Sequence, residues 1–138
     1  MGKWRASLRD DSGVAAIEFV VAAPVLLLMV FGIWNAGIVL WAQNGVRNAV
    51  ETGARHATIF PRPTQQQIDQ RVQAAYYGPV QGPLDGPNFV YGVRNNAPVV
   101  TISMSYTHRA ALPFLVLPPV TVRHERTAYL APALPASR

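Results

Sequence analysis

The sequence contains no cysteine. This absence excludes a disulfide framework, thiolate metal ligands and cysteine nucleophiles. Charge is also scarce, because Asp, Glu, Lys and Arg make up only 14% of the 138 residues, whereas an ordinary soluble domain has about a quarter. The shortage is concentrated between Phe19 and Gln43, where no acidic, basic or histidine residue occurs. A chain of this length and pattern favours one modest soluble domain joined to an apolar anchor.

Basic residues form no cluster, although the net charge is +5, and nucleic-acid binding needs a basic patch or stripe. The sequence also lacks a phosphate-binding loop, a zinc-protease helix and a serine with a paired base. His108 and His124 can meet across a strand pair and His56 lies elsewhere, but two histidines without a carboxylate or thiolate companion make a poor metal site. We therefore predict no enzyme activity, no catalytic residue, no metal or cofactor, and neither nucleic acid nor a small-molecule substrate as partner.

The apolar run Val20–Ala42 is long enough to cross a membrane. Its 23 residues extend about 34 Å as a helix, and the hydrocarbon core is about 30 Å thick. Trp41, near its C-terminal end, suits the interfacial aromatic belt. A secretory signal peptide is the alternative, but the run exceeds the usual length of about 7–15 residues. Cleavage near Ala42 stays open.

Three residues inside this run carry further predictions. Pro24 removes one helix hydrogen bond and clashes with the preceding turn, so we expect a kink or a local loss of helix near Ala22–Val25. Gly32 and Ala36 form a small-xxx-small pair, which can let another helix approach closely.

The stretch before the run places an acid at the start of the apolar helix. Gly13 ends a short polar leader, Val14 begins the apolar residues, and Glu18 is the fifth residue after the glycine. An acid carried into lipid costs a few kcal/mol and needs a partner. Cleavage after Gly13 would create one, because the new ammonium of Val14 on a neighbouring subunit could neutralise Glu18. The alternative is an interfacial acid that simply faces water.

These residues resemble a known family. The pattern is a glycine, small or apolar residues, Glu-Phe, an apolar stretch, a proline, aliphatic residues, a glycine-containing exit from the membrane and an Ala-rich amphipathic helix. In this chain it comprises Gly13, Val14–Phe19, Val20–Pro24, Gly32-Ile33, Gly37–Gln43 and Val46–Ala57. It is similar to the TadE-like pseudopilins of tight-adherence (Tad, or Flp) pilus systems, which are themselves similar to type IVb pilins.

The resemblance implies a role for each matching residue. Gly13 would end a leader cut by a prepilin peptidase of the bacterial inner membrane, and Val14 would be the mature N-terminus. Glu18, followed by Phe19, would be the glutamate of processing and assembly. The N-terminus would be cytoplasmic and the C-terminal domain periplasmic, and the subunit would contact other pilins and the Tad assembly platform to support pilus assembly, adhesion or secretion. Acidic Asp10 and Asp11 depart from the basic residue common in the family.

We predict an α+β, pilin-like fold in which a long N-terminal helix packs on a small antiparallel β-sheet head domain. The predicted segments are a cytoplasmic leader (1–13), a transmembrane helix (14–42), its amphipathic continuation (43–60), an extracytoplasmic head (61–131) and a flexible tail (132–138). The continuation is indicated by apolar residues at helical spacing: Val46, Ala49, Val50, Gly53, Ala54 and Ala57.

The head is predicted from its capping and alternation patterns. Thr64 and Gln67 form a capping box that opens a second helix, with Ile68, Val72 and Ala75 on its apolar side. Strict alternation predicts a strand over 98–108, with weaker strands over 120–129 and 88–93.

The link between the two later strands is unusually apolar. Residues Leu112–Pro119 either fold over the sheet as core or form a patch that faces the membrane or a partner.

The alternatives to a pilus subunit are an unprocessed single-pass anchor with a periplasmic binding domain and a secreted binding domain released by signal peptidase.

Overall fold

A computed structural model describes residues 11–112 and 115–131 of the chain. Its first element is a 47-residue helix, α1, over Asp11–Ala57. The helix begins before Val14, where its start was expected, and it runs unbroken through Pro24. The local loss of helix expected as one possibility near Ala22–Val25 is therefore wrong, and the kink at Pro24, the other possibility, stays a prediction. Proline removes only one backbone donor, and the hydrogen bonds of the turns on either side are enough to keep the segment helical.

The N-terminal part of α1 stands outside the head domain. It is the one helix in the described part of the chain that is long and apolar enough to cross a membrane, and none of its most apolar window is buried within the protein. The C-terminal part carries the predicted apolar face, which is buried against the head domain. The buried members of that face are Val46, Ala49, Val50, Gly53, Ala54 and Ala57.

The second helix, α2, covers Gln65–Ala75 and begins at the predicted capping box. The amide of Gln67 donates to the Thr64 hydroxyl at 3.3 Å, and the amide of Thr64 donates to the Gln67 side-chain oxygen at 2.9 Å. Ile68 and Val72 are buried. These two side chains supply the apolar face with which α2 packs beside α1.

Three antiparallel strands form the sheet, in the order β1 (Leu84–Arg94), β2 (Ala97–His108) and β5 (Val120–Tyr129). The strands β1 and β2 are joined by Asn95 and Asn96, whose positive φ angles of 52° and 61° are those of a two-residue type I′ turn.

The buried face of β2 follows the predicted alternation. It carries Val100, Ile102, Met104 and Tyr106. The opposite face of the sheet is polar. There, Thr101 and Thr107 of β2 form hydrogen bonds with threonines of β5 at 2.8 Å and 3.0 Å. The α+β fold and the central strand are therefore confirmed.

The apolar link forms a small hairpin of β3 (Ala111–Leu112) and β4 (Leu115–Val116). Leu115, Val116 and Leu117 are 48%, 96% and 40% exposed, so of the two alternatives for the link, burial as core does not hold for these residues. One face of the sheet is already covered by α1 and the other is a polar threonine-rich surface, so neither offers an apolar site. The structure does not describe residues 113 and 114 of this link, residues 1–10 of the expected leader (1–13) or the expected tail (132–138).

Candidate processing and assembly site

The predicted junction lies on the first turns of α1. Val14 is 59% exposed and Phe19 is 70% exposed, and Glu18 is exposed between them. Residues four apart in a helix lie on the same face, about 5–6 Å between Cβ atoms. An amine created at Val14 would therefore lie on the same helix face as Glu18 of its own chain. Within the described residues, no hydrogen bond or ion pair involves the Glu18 carboxylate.

The glycines of α1 fall into two groups according to what a Cβ atom would meet. At Gly13, Gly32 and Gly37 an added Cβ atom would have no neighbour within 4 Å. At Gly45 it would lie 2.6 Å from the backbone nitrogen of Gly78, and at Gly53 it would lie 2.2 Å from Cγ2 of Val72. The second group is explained by packing inside the described protein. For the first group, no packing contact among the described residues requires a glycine.

The predicted helix-packing pair, Gly32 and Ala36, is exposed on the apolar part of α1. No described part of the head covers either residue. The pair is therefore accessible to a second helix, and its role in packing stays a prediction.

Asn35 makes a contact that the sequence did not predict. Its side-chain oxygen lies 2.8 Å from Nε2 of His108, at the end of β2. Its amide nitrogen donates to the carbonyl of Phe31 at 2.7 Å and lies 3.5 Å from the carbonyl of Ala111. A lone polar side chain in an apolar helix needs a partner, and this was the available signal. The contact fixes the base of the head domain against the apolar part of α1.

The three histidines occupy separate sites. His108 pairs in register with Val120, whereas His124 pairs with Met104, so the two histidines do not meet across the strands. His56 lies in the last turn of α1. Across residues 11–112 and 115–131, no group of three or more side chains suited to hold a metal ion comes together.

Glu51 links α1 to β5 through opposite charges. Its carboxylate accepts a hydrogen bond from Nε of Arg47 at 3.0 Å and lies 3.9 Å from Nε2 of His124. The bond from Arg47, together with the charges of Arg47, His124 and Arg126, holds the pKa of Glu51 below its ordinary value of 4.5. Because Arg47 is largely exposed, this ion pair contributes little to stability. The arrangement is suited to orienting the helix on the sheet.

Comparison with known protein families gives one match, and it covers most of α1. The family model for TadE-like proteins matches residues 13–55, about a third of the chain. The matched segment begins at Gly13 and lies wholly within α1, so it includes both the apolar part and the part packed on the head. The similarity to TadE-like proteins that the sequence motifs indicated is confirmed over this segment. Neither the curated proteins nor the solved structures gave a match.

Proposed function

We propose that this chain is a minor pilin-like subunit of a Tad-type pilus, made as a membrane-anchored precursor and cut after Gly13 by a prepilin peptidase. The observation that carries the proposal is the match of residues 13–55 to TadE-like proteins. It begins at the glycine of the proposed cleavage site and covers the helix that would connect the membrane to the head.

The exposed apolar half of α1 supports a role in assembly. Most of its large side chains are open to the surroundings, and Val20, Leu26 and Ile33 are 68%, 63% and 71% exposed. Such a surface must be covered by lipid or by other helices. A helix that exchanges lipid for the helices of neighbouring subunits meets this requirement both before and after incorporation into a fibre.

Glu18 supplies the proposed pairing between subunits. Cleavage before Val14 exposes a positively charged amine at the same end of the helix as the carboxylate. If each amine is neutralised by the Glu18 of a neighbour, the pairing fixes the axial register of adjacent helices, as a buried polar group fixes the register of a coiled coil. Pairing within one chain would satisfy the charges without setting register, and the assembly experiment below separates the two.

The proposed topology follows from processing on the cytoplasmic side of the inner membrane. The leader is cytoplasmic, α1 spans the bilayer once, and the head is periplasmic. The partners are the prepilin peptidase, other pilin or pseudopilin subunits and the proteins of the Tad assembly platform.

The first experiment is the mass and N-terminal residue of the protein recovered from membranes of its native host. We expect a start at Val14, with or without a methyl group. Gly13→Leu should block cleavage, because the peptidase must approach the backbone closely at this position. Gly37→Leu is the matched control, since Gly37 is also exposed on α1 with open space around it, and it should be cut normally. A start at Met1 or Gly2 would favour the uncut anchor, and a start beyond Ala42 would indicate a signal peptide.

The pairing role is tested separately by Glu18→Ala. This variant should insert in the membrane at normal levels and lose pilus assembly, because the amine of each incoming subunit then lacks its counter-charge. Glu125→Ala, which removes an exposed acid of the head, should assemble normally. Normal pili from the Glu18 variant would rule out the pairing role while leaving the cleavage site unaffected.

A further inference from the structure

Two apolar loops of the head lie beside the apolar part of α1. The loop 79–81 lines a crevice with Trp34, Ile38 and Trp41 of the helix. The hairpin begins at Ala111, whose carbonyl is 3.5 Å from the Asn35 amide. We call the described residues 79–81, 111–112 and 115–117 the basal surface. Its outermost side chains, Val80 and Val116, are 90% and 96% exposed, more than any other large hydrophobic residue in the described ranges.

The position of this surface along α1 can be compared with the thickness of a bilayer. Asn35 follows Glu18 by 17 residues, which corresponds to about 26 Å of helix. The hydrocarbon core is about 30 Å thick. If Glu18 lies at the cytoplasmic boundary of the hydrocarbon core, Asn35 lies inside the core close to its opposite boundary, or at that boundary. The part of the head that contacts Asn35 must then reach the same depth.

The polar groups near Asn35 are arranged as this depth requires. A side-chain amide in or near lipid is costly unless its hydrogen-bonding groups are satisfied. The Asn35 oxygen lies 2.8 Å from the His108 ring nitrogen and its amide donates to the Phe31 carbonyl. On the loop side, the hydroxyl of Tyr106 donates to the carbonyl of Gln81. The basal surface therefore exposes apolar side chains, whereas the side-chain groups of Asn35 and Tyr106 beside it have hydrogen-bond partners.

The flanking residues are those expected at a membrane–water interface. Trp34 and Trp41 are 69% and 50% exposed, and tryptophan is enriched where apolar chains meet lipid headgroups. Arg109 lines a neighbouring crevice together with Trp34 and Asn35. A long arginine side chain can place its guanidinium among phosphates while its stem lies against apolar surface.

We propose that the basal surface is a second membrane contact, in which the two loops insert into the outer face of the bilayer that α1 crosses. Val80 and Val116 contact acyl chains, Arg109 contacts lipid phosphates, and the Asn35–His108 contact fixes the loops to the helix. The occupant is lipid rather than another protein because the surface is continuous with the lipid-facing helix and shares its depth. The inference requires α1 to span the membrane, but neither cleavage after Gly13 nor a pilus role.

The absence of cysteine permits a direct depth measurement. Single variants Val116→Cys, Val80→Cys, Val93→Cys and Val30→Cys of the full chain are spin-labelled in nanodiscs of phosphatidylethanolamine and phosphatidylglycerol. Val93 is the matched control, since it is a 74% exposed valine next to the β1–β2 turn, at the opposite end of β2 from His108. Val30 is the lipid reference on α1. Collision rates with oxygen, which partitions into lipid, are compared with those for a water-soluble nickel chelate.

We expect the labels at 116 and 80 to favour oxygen, as the label at 30 does, and the label at 93 to favour nickel. Oxygen preference at 116 and 80 equal to that at 93 would overturn the proposal. Labels at 116 and 80 hidden from both reagents would indicate a protein contact and would also overturn it. Nickel preference at 30 would show that α1 does not lie in lipid, and this would overturn the proposal because the proposal requires α1 to span the membrane. A chain that remains uncut can give the expected depths, so this result is separable from the test of processing.

Discussion

Gly53 offers a test of how α1 and α2 are packed. A Cβ atom at this position would lie 2.2 Å from Cγ2 of Val72 and 3.4 Å from Cδ1 of Ile102. Carbon atoms in favourable contact are about 3.5–4.0 Å apart, so Gly53→Ala forces the helices apart or changes the Val72 rotamer. Val72 is fully buried, and a valine in a helix has one strongly preferred rotamer. Neither adjustment is without cost.

The expected size of the effect is a difference between two terms. Replacing glycine by alanine inside a helix favours folding by about 1 kcal/mol, whereas overpacking a close-packed core costs about 1–3 kcal/mol. Because the clash exceeds 1 Å, we take the upper half of the second range, as an order-of-magnitude figure of about 2–3 kcal/mol. The net expectation is a loss of about 1–2 kcal/mol in the free energy of unfolding, equivalent to a fall in Tm of about 10 °C for a domain of this size.

The assay is thermal unfolding of the full chain in one detergent, followed by the β-sheet circular dichroism signal of the head. Gly37→Ala is the control, because a Cβ atom there has no neighbour within 4 Å, and it should not lower Tm. The sign should reverse in a Val72→Ala background. There the new methyl would meet the Cβ atom of residue 72 at 3.7 Å, an ordinary contact, so Gly53→Ala should become neutral or stabilising. Equal effects of Gly53→Ala in both backgrounds would refute the packing argument.

Three further changes test other contacts of the head. Thr64→Ala should lower stability by about 1 kcal/mol through loss of the helix cap, measured by the same melts, whereas Thr64→Ser should retain it; equal melts for the two would contradict the capping role. In the folded protein the pKa of Glu51 is below its ordinary value of 4.5. The stabilisation that follows from this is present above the ordinary pKa and is lost as the pH falls through the lowered pKa. Because the ion pair is largely exposed, its effect is small: the fall of Tm on acidification should be slightly shallower in Glu51→Gln, and an identical pH profile of Tm would contradict this linkage. Tyr106→Phe should destabilise by about 0.5–1.5 kcal/mol, since it removes the hydroxyl of a buried tyrosine that donates to the Gln81 carbonyl; tolerance of the change without loss of Tm would show that the bond contributes nothing.

Local patterns in the sequence were sufficient to predict the two helices and the central strand of this protein. The apolar run and the continued helical spacing predicted a single helix crossing from anchor to head, because hydrophobic periodicity reports which face of one helix is buried. The alternation over 98–108 predicted β2, and Thr64 with Gln67 predicted the start of α2. Glu18 was singled out because an acid at the start of an apolar helix is unusual, and Gly13 was singled out by the resemblance to TadE-like proteins; the roles of both residues stay predictions.

The contacts between these elements were decided only by the tertiary structure. The partner of Asn35 is His108, 73 residues away, and no local pattern specifies a pairing at that distance. The separation of His108 from His124 follows from strand register, and the exposure of residues 115–117 follows from what already covers each face of the sheet. Gly53 and Ala54 both belong to the periodic apolar face, yet only the packed structure shows that Gly53 is where α2 approaches too closely for a side chain. Periodicity determines which face of an element is buried, whereas the geometry of its neighbours determines what that face can contact.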